Sequence, residues 1–344
     1  MMTMRRASII TLLVAALILR APLYADEIGS EKAAAEEVRL SVVSSWNGRQ
    51  NFTADFLKYV AAVNEAGKGI VQLEFLGGPS VIPQRQLLYA LRRGVIDIAF
   101  GGATYYLGII PEGDAIFGST ITPWIARYSG ALDALQPYWE KRANARLIGW
   151  MQSGVGANIY LRDKPAIGQD GLPDLSGLKI RTSPSNREIL TALGARAIQI
   201  PVKEIYTSLQ RGTVDGLAFT TIGLPDLGIE EFIHYRIDPE FLQLAMVMQI
   251  NLDTWNSLSP RAQEIIERQA IFYEELSRQT LQQTRQTEHE QLKQQGLVSI
   301  KLEGEAAKKY RDLAREIVWQ RLSNRAPESA HRLRPLFFWP EASP

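Results

Sequence analysis

Between Pro173 and Phe219 the apolar positions change period repeatedly. Leu178 to Arg181 reads as a short strand, Ser185 to Leu193 as a helix stopped by Gly194, and Ala195 to Ile200 as a second strand. Val202 to Arg211 is a helix stopped by Gly212, and Val214 to Phe219 is a third strand. Glycine just past a helix supplies the left-handed stop. Strands alternating with helices of about ten residues predict parallel βαβ units. An earlier stretch reads the same way. Val38 to Val43 is a strand, and Phe52, Phe56, Val60 and Val63 recur at helical spacing. Ile70 to Leu76 alternates as a strand, Pro83 to Arg93 is a helix stopped by Gly94, and Val95 to Phe100 is a strand. The two stretches share an echo. Leu91-Arg92-Arg93-Gly94-Val95-Ile96-Asp97 has the leucine, glycine and aspartate spacing of Leu209-Gln210-Arg211-Gly212-Thr213-Val214-Asp215. Duplication or convergent loop chemistry would each give it.

The remaining pattern joins these halves. Ala131 to Ala145 is a helix, Leu147 to Met151 a strand, and Gly154 to Leu161 a crossing between lobes. Ala245 to Asn251 is a strand that crosses back. Ser259-Pro260 is a helix start, with a serine cap and proline at the first helical position. Nothing breaks that helix before Gly296, so it runs to Gln295, roughly 54 Å at 1.5 Å per residue; a break near Thr284 is the alternative. Leu297 to Leu302 is a late strand and Glu305 to Leu322 an amphipathic helix. Ser323 to Pro344 reads as a tail pinned by Leu336, Phe337, Phe338 and Trp339.

Length and composition narrow the class. The 344 residues suit two domains better than one. With 38 basic and 37 acidic residues the chain lacks the basic footprint of a nucleic-acid partner. The absence of cysteine excludes disulfides and thiolate metal sites. At the N-terminus, Arg5 and Arg6 precede an apolar run from Ala7 to Leu19, and Pro22-Leu23-Tyr24-Ala25 resembles a cleavage region. These features predict a signal peptide over residues 1–25 and a periplasmic protein. The run is shorter than the roughly 17–25 residues of a membrane span, which disfavours an uncleaved anchor. Asp26 to Glu37 reads as a polar leader.

The candidate chemistry is that of binding. In parallel sheets ligands sit at the carboxyl ends of strands. Arg181 ends its strand before a turn, Thr182-Ser183-Pro184, that opens a helix. A planar guanidinium beside a helix start suits a carboxylate, whose two oxygens match the fork. Trp46 and Asn47 follow the first strand, and Tyr105 and Tyr106 follow Gly101-Gly102, where backbone can approach a ligand. Both tyrosines could equally be packing residues. His234, His289 and His331 lie far apart without metal-ligand spacing, and phosphate-loop, nucleophile-elbow and dinucleotide fingerprints are absent. No cofactor or metal is expected. Asp97 and Asp215, near strand starts, read as structural.

The run LSGLKIRTSPSNREILTALGARAIQIPVKEIYTSLQRGTVDGLAF resembles the solute-binding proteins of tripartite ATP-independent periplasmic (TRAP) transporters. Those proteins carry a GLK-[ILF]-R strand, a G-A-x-P-x-x-[IV] strand and an E-[IV]-Y-x-x-L-Q-x-G-x-V-D-G helix and strand. The resemblance implies a two-lobed α/β periplasmic binding protein of type II-like architecture with a long helix spanning both lobes. It implies lobe I from residues 38–157 plus 248–285, lobe II from 158–247 plus 286–322, and a C-terminal tail from 323. It makes Arg181 the carboxylate clamp and Arg162, in a looser match, a second anion contact or else a surface arginine. Phe219 stands where sialic-acid and dicarboxylate binders carry asparagine, with Thr220 beside it. That points to a ligand with one carboxylate and an apolar or cyclic body. Ser183, Trp46, Asn47 and Tyr105 complete the expected site. The implied partners are a small and a large integral membrane subunit driven by an ion gradient. A periplasmic sensor, or an enzyme acting on a carboxylate, is the alternative.

Overall fold

The computed structural model describes residues 36–339, so the signal segment and most of the leader lie outside the described residues. Thirteen strands occur in chain order among those residues. They are β1 (Val38–Ser44), β2 (Val71–Gly77), β3 (Ile98–Gly102), β4 (Ala145–Met151), β5 (Ala157–Leu161), β6 (Ala166–Ile167) and β7 (Pro173–Asp174). Then come β8 (Lys179–Thr182), β9 (Arg196–Gln199), β10 (Gly216–Thr220), β11 (Tyr235–Asp238), β12 (Met246–Asn251) and β13 (Val298–Lys301). One sheet has the order β2-β1-β3-β12-β4 and a second the order β13-β11-β5-β10-β8-β9, while β6 and β7 form a small ribbon.

The sheets repeat one plan. β1 is flanked by β2 and β3, both parallel, and β8 by β9 and β10, both parallel. The next strand is antiparallel in each case: β12 beside β3 and β5 beside β10. The echo of Asp97 and Asp215 acquires a physical role here. The Asp97 carboxylate accepts the backbone N–H of Ser41 at 2.8 Å, and Asp215 accepts that of Lys179 at 2.7 Å. Each aspartate ties the start of the third strand of its unit to the first. Leu91 and Leu209 are both fully buried, and Gly94 and Gly212 both have positive φ, as the stop requires.

The long helix is continuous over Pro260–Gln294, with Ser259 Oγ accepting the N–H of Ala262. Ile265, Ile266, Ala270, Tyr273 and Leu281 are buried in the core of the first sheet. Further along, Leu292 belongs to the core around Tyr160, Leu209 and Leu217 of the second. One helix therefore packs on both sheets.

Several elements depart from the sequence reading. The helices before β3, β9 and β10 each open with a 3-10 turn, Gln84–Gln86, Pro184–Asn186 and Val202–Glu204, which shortens the α-helical part to six residues. The segment read as a crossing contains β5, an internal strand of the second sheet. The tail is not irregular. Pro327–Phe337 is a helix whose Ala330, Leu333 and Phe337 are buried at helical spacing. Pro327 occupies its first turn, where a missing N–H costs nothing.

Candidate ligand-binding site

Arg181 lies in β8 between Leu217 of β10 and Ile198 of β9. Its side chain is 5% exposed, and its Nε–H donates to the carbonyl of Ile200 at 2.9 Å. The guanidinium carbon stands 5.8 Å from the centroid of the Phe219 ring. Across from the second sheet, Tyr105 approaches closely enough for its phenol and the guanidinium to influence each other's protonation. Tyr105 follows β3 in a 3-10 turn, Ala103–Tyr106. Its ring meets Trp46 edge-on at 5.8 Å, and Trp46 packs against Phe52 and Phe100. Trp46 with Tyr105, and Arg181 with Phe219, thus form two contacting pairs of one row, joined by the electrostatic influence of Arg181 on Tyr105.

The electrostatics of Arg181 are unusual. Burial lowers its pKa to about 10, and the Tyr105 phenol acts weakly the other way. No carboxylate of the described residues lies within ion-pairing distance of it. A buried charge without a partner is costly, yet at neutral pH this guanidinium keeps its proton. Other buried arginines of the chain are paired. Arg321 holds Asp114 through two hydrogen bonds, of 2.8 and 2.7 Å. Arg236 holds Asp238 at 2.9 Å. Burial likewise pushes the Tyr105 phenol up to about 12, so it stays a neutral donor, with Arg181 and hydrogen bonds to Gln84 and Trp46 acting the other way.

Close packing shapes the first-sheet side of the row. A Cβ at Gly102 would come within 3.3 Å of the Tyr105 ring, and one at Gly101 within 2.1 Å of Ser45 Oγ. Glycine at both positions lets the strand end approach β1 and the ring lie flat on the backbone. Gln84 braces this side: its carbonyl accepts the Tyr106 hydroxyl at 3.0 Å, and its amide donates to the Ser45 carbonyl at 3.3 Å.

The other expected residues fare differently. Ser183 is half-buried in the turn after β8, and its hydroxyl bonds Ser185 at 2.9 Å. The Thr220 hydroxyl donates to the Ile222 carbonyl at 2.6 Å, and Asn47 is exposed. Arg162 is not brought to the row. It follows β5, whose Leu161 pairs with Gly216 at the start of β10, whereas Arg181 and Phe219 lie towards the strands' carboxyl ends. Its guanidinium donates to the Leu209 carbonyl at 2.6 Å and stacks on Phe232 at 5.7 Å. Arg162 therefore caps a helix near the amino end of β10, away from Arg181 and Phe219.

Two polar groups escaped the sequence reading. Asn186 and Thr221 are 7% and 6% exposed, and Asn186 Oδ1 and Thr221 Oγ1 are buried without hydrogen-bond partners. Both sit just past the carboxyl ends of β8 and β10, and that position was the signal that could have found them. Among the described residues no group of three or more histidine, aspartate or glutamate side chains could hold a metal, and no helix is long and apolar enough to cross a membrane.

Comparison with known proteins places the whole arrangement. The family model for bacterial extracellular solute-binding proteins, family 7, matches residues 42–324. A monocarboxylate 2-oxoacid-binding periplasmic protein of Nostoc sp. is 25% identical over 251 residues, 69% of this chain and 66% of that protein. The matches to curated relatives span from 30% to 66% of those proteins' length. A TRAP periplasmic solute-binding protein of Ochrobactrum anthropi superposes with a TM-score of 0.76 at 19% identity, covering 88% of this chain and 95% of that one. One from Desulfovibrio salexigens, with bound orotic acid, gives 0.74 at 21% identity, covering 87% and 97%. The two-lobed α/β fold expected from the sequence is the fold of these proteins, and the chain belongs to family 7 of the bacterial extracellular solute-binding proteins, the family of the TRAP receptors.

Proposed function

We propose that the chain is the extracytoplasmic receptor of a TRAP-type secondary transporter and captures an organic monocarboxylate by closing two lobes on it. The observation that carries this reading is the buried, cationic and unpaired Arg181 at the carboxyl end of a sheet. A ligand carboxylate is the missing counter-ion. The fork can make two parallel charge-assisted hydrogen bonds to it, while Nε stays anchored on Ile200. Phe219 lies against the guanidinium on one side, and the Tyr105 phenol stands by as a neutral donor on the other. Trp46 and Phe219 give the ligand's body aromatic surface, which favours an apolar or cyclic acid over a second charged group. Thr221 and Asn186 offer an unused hydroxyl and an unused carbonyl oxygen for a polar substituent. The bound names of two relatives, a 2-oxoacid binder and an orotic acid complex, fall within this chemical class.

In this reading the strands of the first sheet form lobe I and those of the second form lobe II, with the long helix packed on both. Closure brings Tyr105 and Trp46 onto a carboxylate held by Arg181, excludes water and strengthens the ion pair. The closed surface then engages a small and a large membrane subunit. The receptor performs no covalent chemistry and uses no cofactor. A calorimetric screen tests the reading. Longer or ring-bearing monocarboxylates should bind more tightly than succinate, and the recovered ligand should be chemically unchanged. Tighter binding of succinate than of every apolar acid tried, or a response confined to sugars or cations, would overturn it.

A further inference from the structure

One polar side chain reaches from the first sheet's half of the molecule to carboxylates of the second. The helix Asn51–Ala66 packs on the first sheet through Phe56, Tyr59, Val60 and Val63. Its first residue, Asn51, donates from its amide to Glu288 Oε1 at 3.4 Å and to Asp226 Oδ2 at 3.5 Å. Glu288 lies on the long helix, one turn before Leu292, which is buried in the second core. Asp226 follows β10, between Leu224 and Leu227 of that same core. Glu288 also fixes this loop, because its Oε2 accepts the N–H of Gly223 at 2.6 Å. The cluster adjoins the ligand row on both sides. Phe52, next to Asn51, packs on Trp46, and Gly223 comes soon after Phe219.

Two carboxylates here share one neutral amide. Neither has an ion-pair partner among the described residues. Burial raises the pKa of Glu288, and the charge of Asp226 acts in the same direction. The amide contacts are long for N–H···O bonds, which usually measure about 2.7–3.2 Å, so they hold the pair weakly. Asn51 does not serve its own helix. Gln50 occupies the cap position, and both hydrogen bonds of the Asn51 amide run to the other half. We infer that Asn51 is a closure latch, a positioning residue that sets the population of the shut form by bridging Glu288 and Asp226 across the two lobes. It acts on affinity through the fraction of receptor already closed, not through a ligand contact. The inference rests on the closure reading above.

Charge at position 51 separates a latch from a structural role. At a helix start an aspartate complements the helix dipole and a lysine opposes it, so a structural role alone favours Asn51→Asp. A latch demands the reverse order. Asn51→Asp sets a third carboxylate against two, whereas Asn51→Lys sets a cation between them on a flexible stem. The chain has no cysteine, so spin labels on Glu65→Cys and Lys203→Cys, both exposed and one on each half, report lobe separation by pulsed electron paramagnetic resonance. Asn51→Lys should raise the ratio of closed to open distances at least threefold, and less in high salt. Asn51→Asp should lower it at least threefold, and Asp226→Lys added to Asn51→Asp should restore it. Circular dichroism should show every variant folded. A distance distribution that no substitution moves overturns the proposal. So does the opposite order, or a failure of Asp226→Lys to restore closure. The measurement uses no ligand, so a failed screen of acids would count against the receptor reading and leave the latch to be judged on its own result.

Discussion

Arg321 joins three separate parts of the chain, and its loss should be felt in stability. It lies in the helix Gly304–Arg325 and is 7% exposed. Besides its two hydrogen bonds to Asp114, it donates to Glu188 at 2.7 Å and to the Ser185 carbonyl at 2.8 Å. The Glu188 contact is half-exposed and adds little. Asp114 is the decisive partner, because it is fully buried. In Arg321→Met its carboxylate is left without compensation, which costs about 3–5 kcal/mol. At roughly 2 °C per kcal/mol, the low end for long chains, the melting temperature should fall by about 6–10 °C. Burial already raises the Asp114 pKa. Without the arginine the folded value rises further above the unfolded one, so the native state holds the extra proton. The variant's deficit is then full at high pH and shrinks as pH falls through that folded value. Thermal and denaturant unfolding at pH 5 and pH 8 measure this, and Asp114→Asn added to Arg321→Met should recover part of the loss. A deficit below about 1 kcal/mol, well short of the 3–5 expected for a broken buried pair, would refute the reasoning. An equal deficit at both pH values would refute it as well.

Three further outcomes are expected. Phe219→Asn should weaken binding of the best apolar acid by calorimetry and narrow its advantage over succinate; an unchanged ratio would separate Phe219 from the ligand. Arg162→Ala should leave ligand affinity within about twofold, less than 0.5 kcal/mol on the scale where tenfold is 1.4, because its guanidinium caps a helix away from Arg181 and Phe219; a large loss would make it an anion contact. Affinity should be flat from about pH 6 to 9. The ligand carboxylate is ionised throughout that range, and Arg181, with its pKa lowered to about 10, stays charged until pH rises past that value. A binding transition near pH 6.5 would assign the charge to a histidine instead.

The layered plan was legible wherever a period ran long enough or punctuation was strong. The serine and proline at 259–260 fixed the start of the long helix, and its unbroken pattern fixed its extent. Gly94 and Gly212 marked the two equivalent helix ends. Asp97 and Asp215 were read as structural, and each accepts a neighbouring strand's N–H. What escaped notice lacked such signals. β11 has four residues and, unlike the equally short β8, β9 and β13, no glycine stop just before it, and the C-terminal helix was obscured by Pro327 and Pro335. At the site, Arg181 and Phe219 could be placed together because adjacent parallel strands carry them. Arg162 lies apart from them because strand direction decides which end of the sheet a residue reaches, and β5 runs antiparallel to β10. Asn186 and Thr221 follow strand ends, as many loop residues do; burial without a partner is what singles them out.

The clamp is the central claim, and calorimetric affinity for the tightest-binding acid, measured on Arg181→Ala and Arg181→Lys, tests it most directly. Removing one partner of a buried charge pair costs on the order of 2–5 kcal/mol, about thirty-fold or more in affinity. The lysine variant should also bind poorly, since an ammonium lacks the planar fork. Circular dichroism should show both variants folded, and the unliganded alanine variant should melt no lower than the original, because Arg181 has no carboxylate partner to lose. A folded Arg181→Ala protein that binds within about threefold of the original, less than roughly 0.7 kcal/mol, would contradict the account.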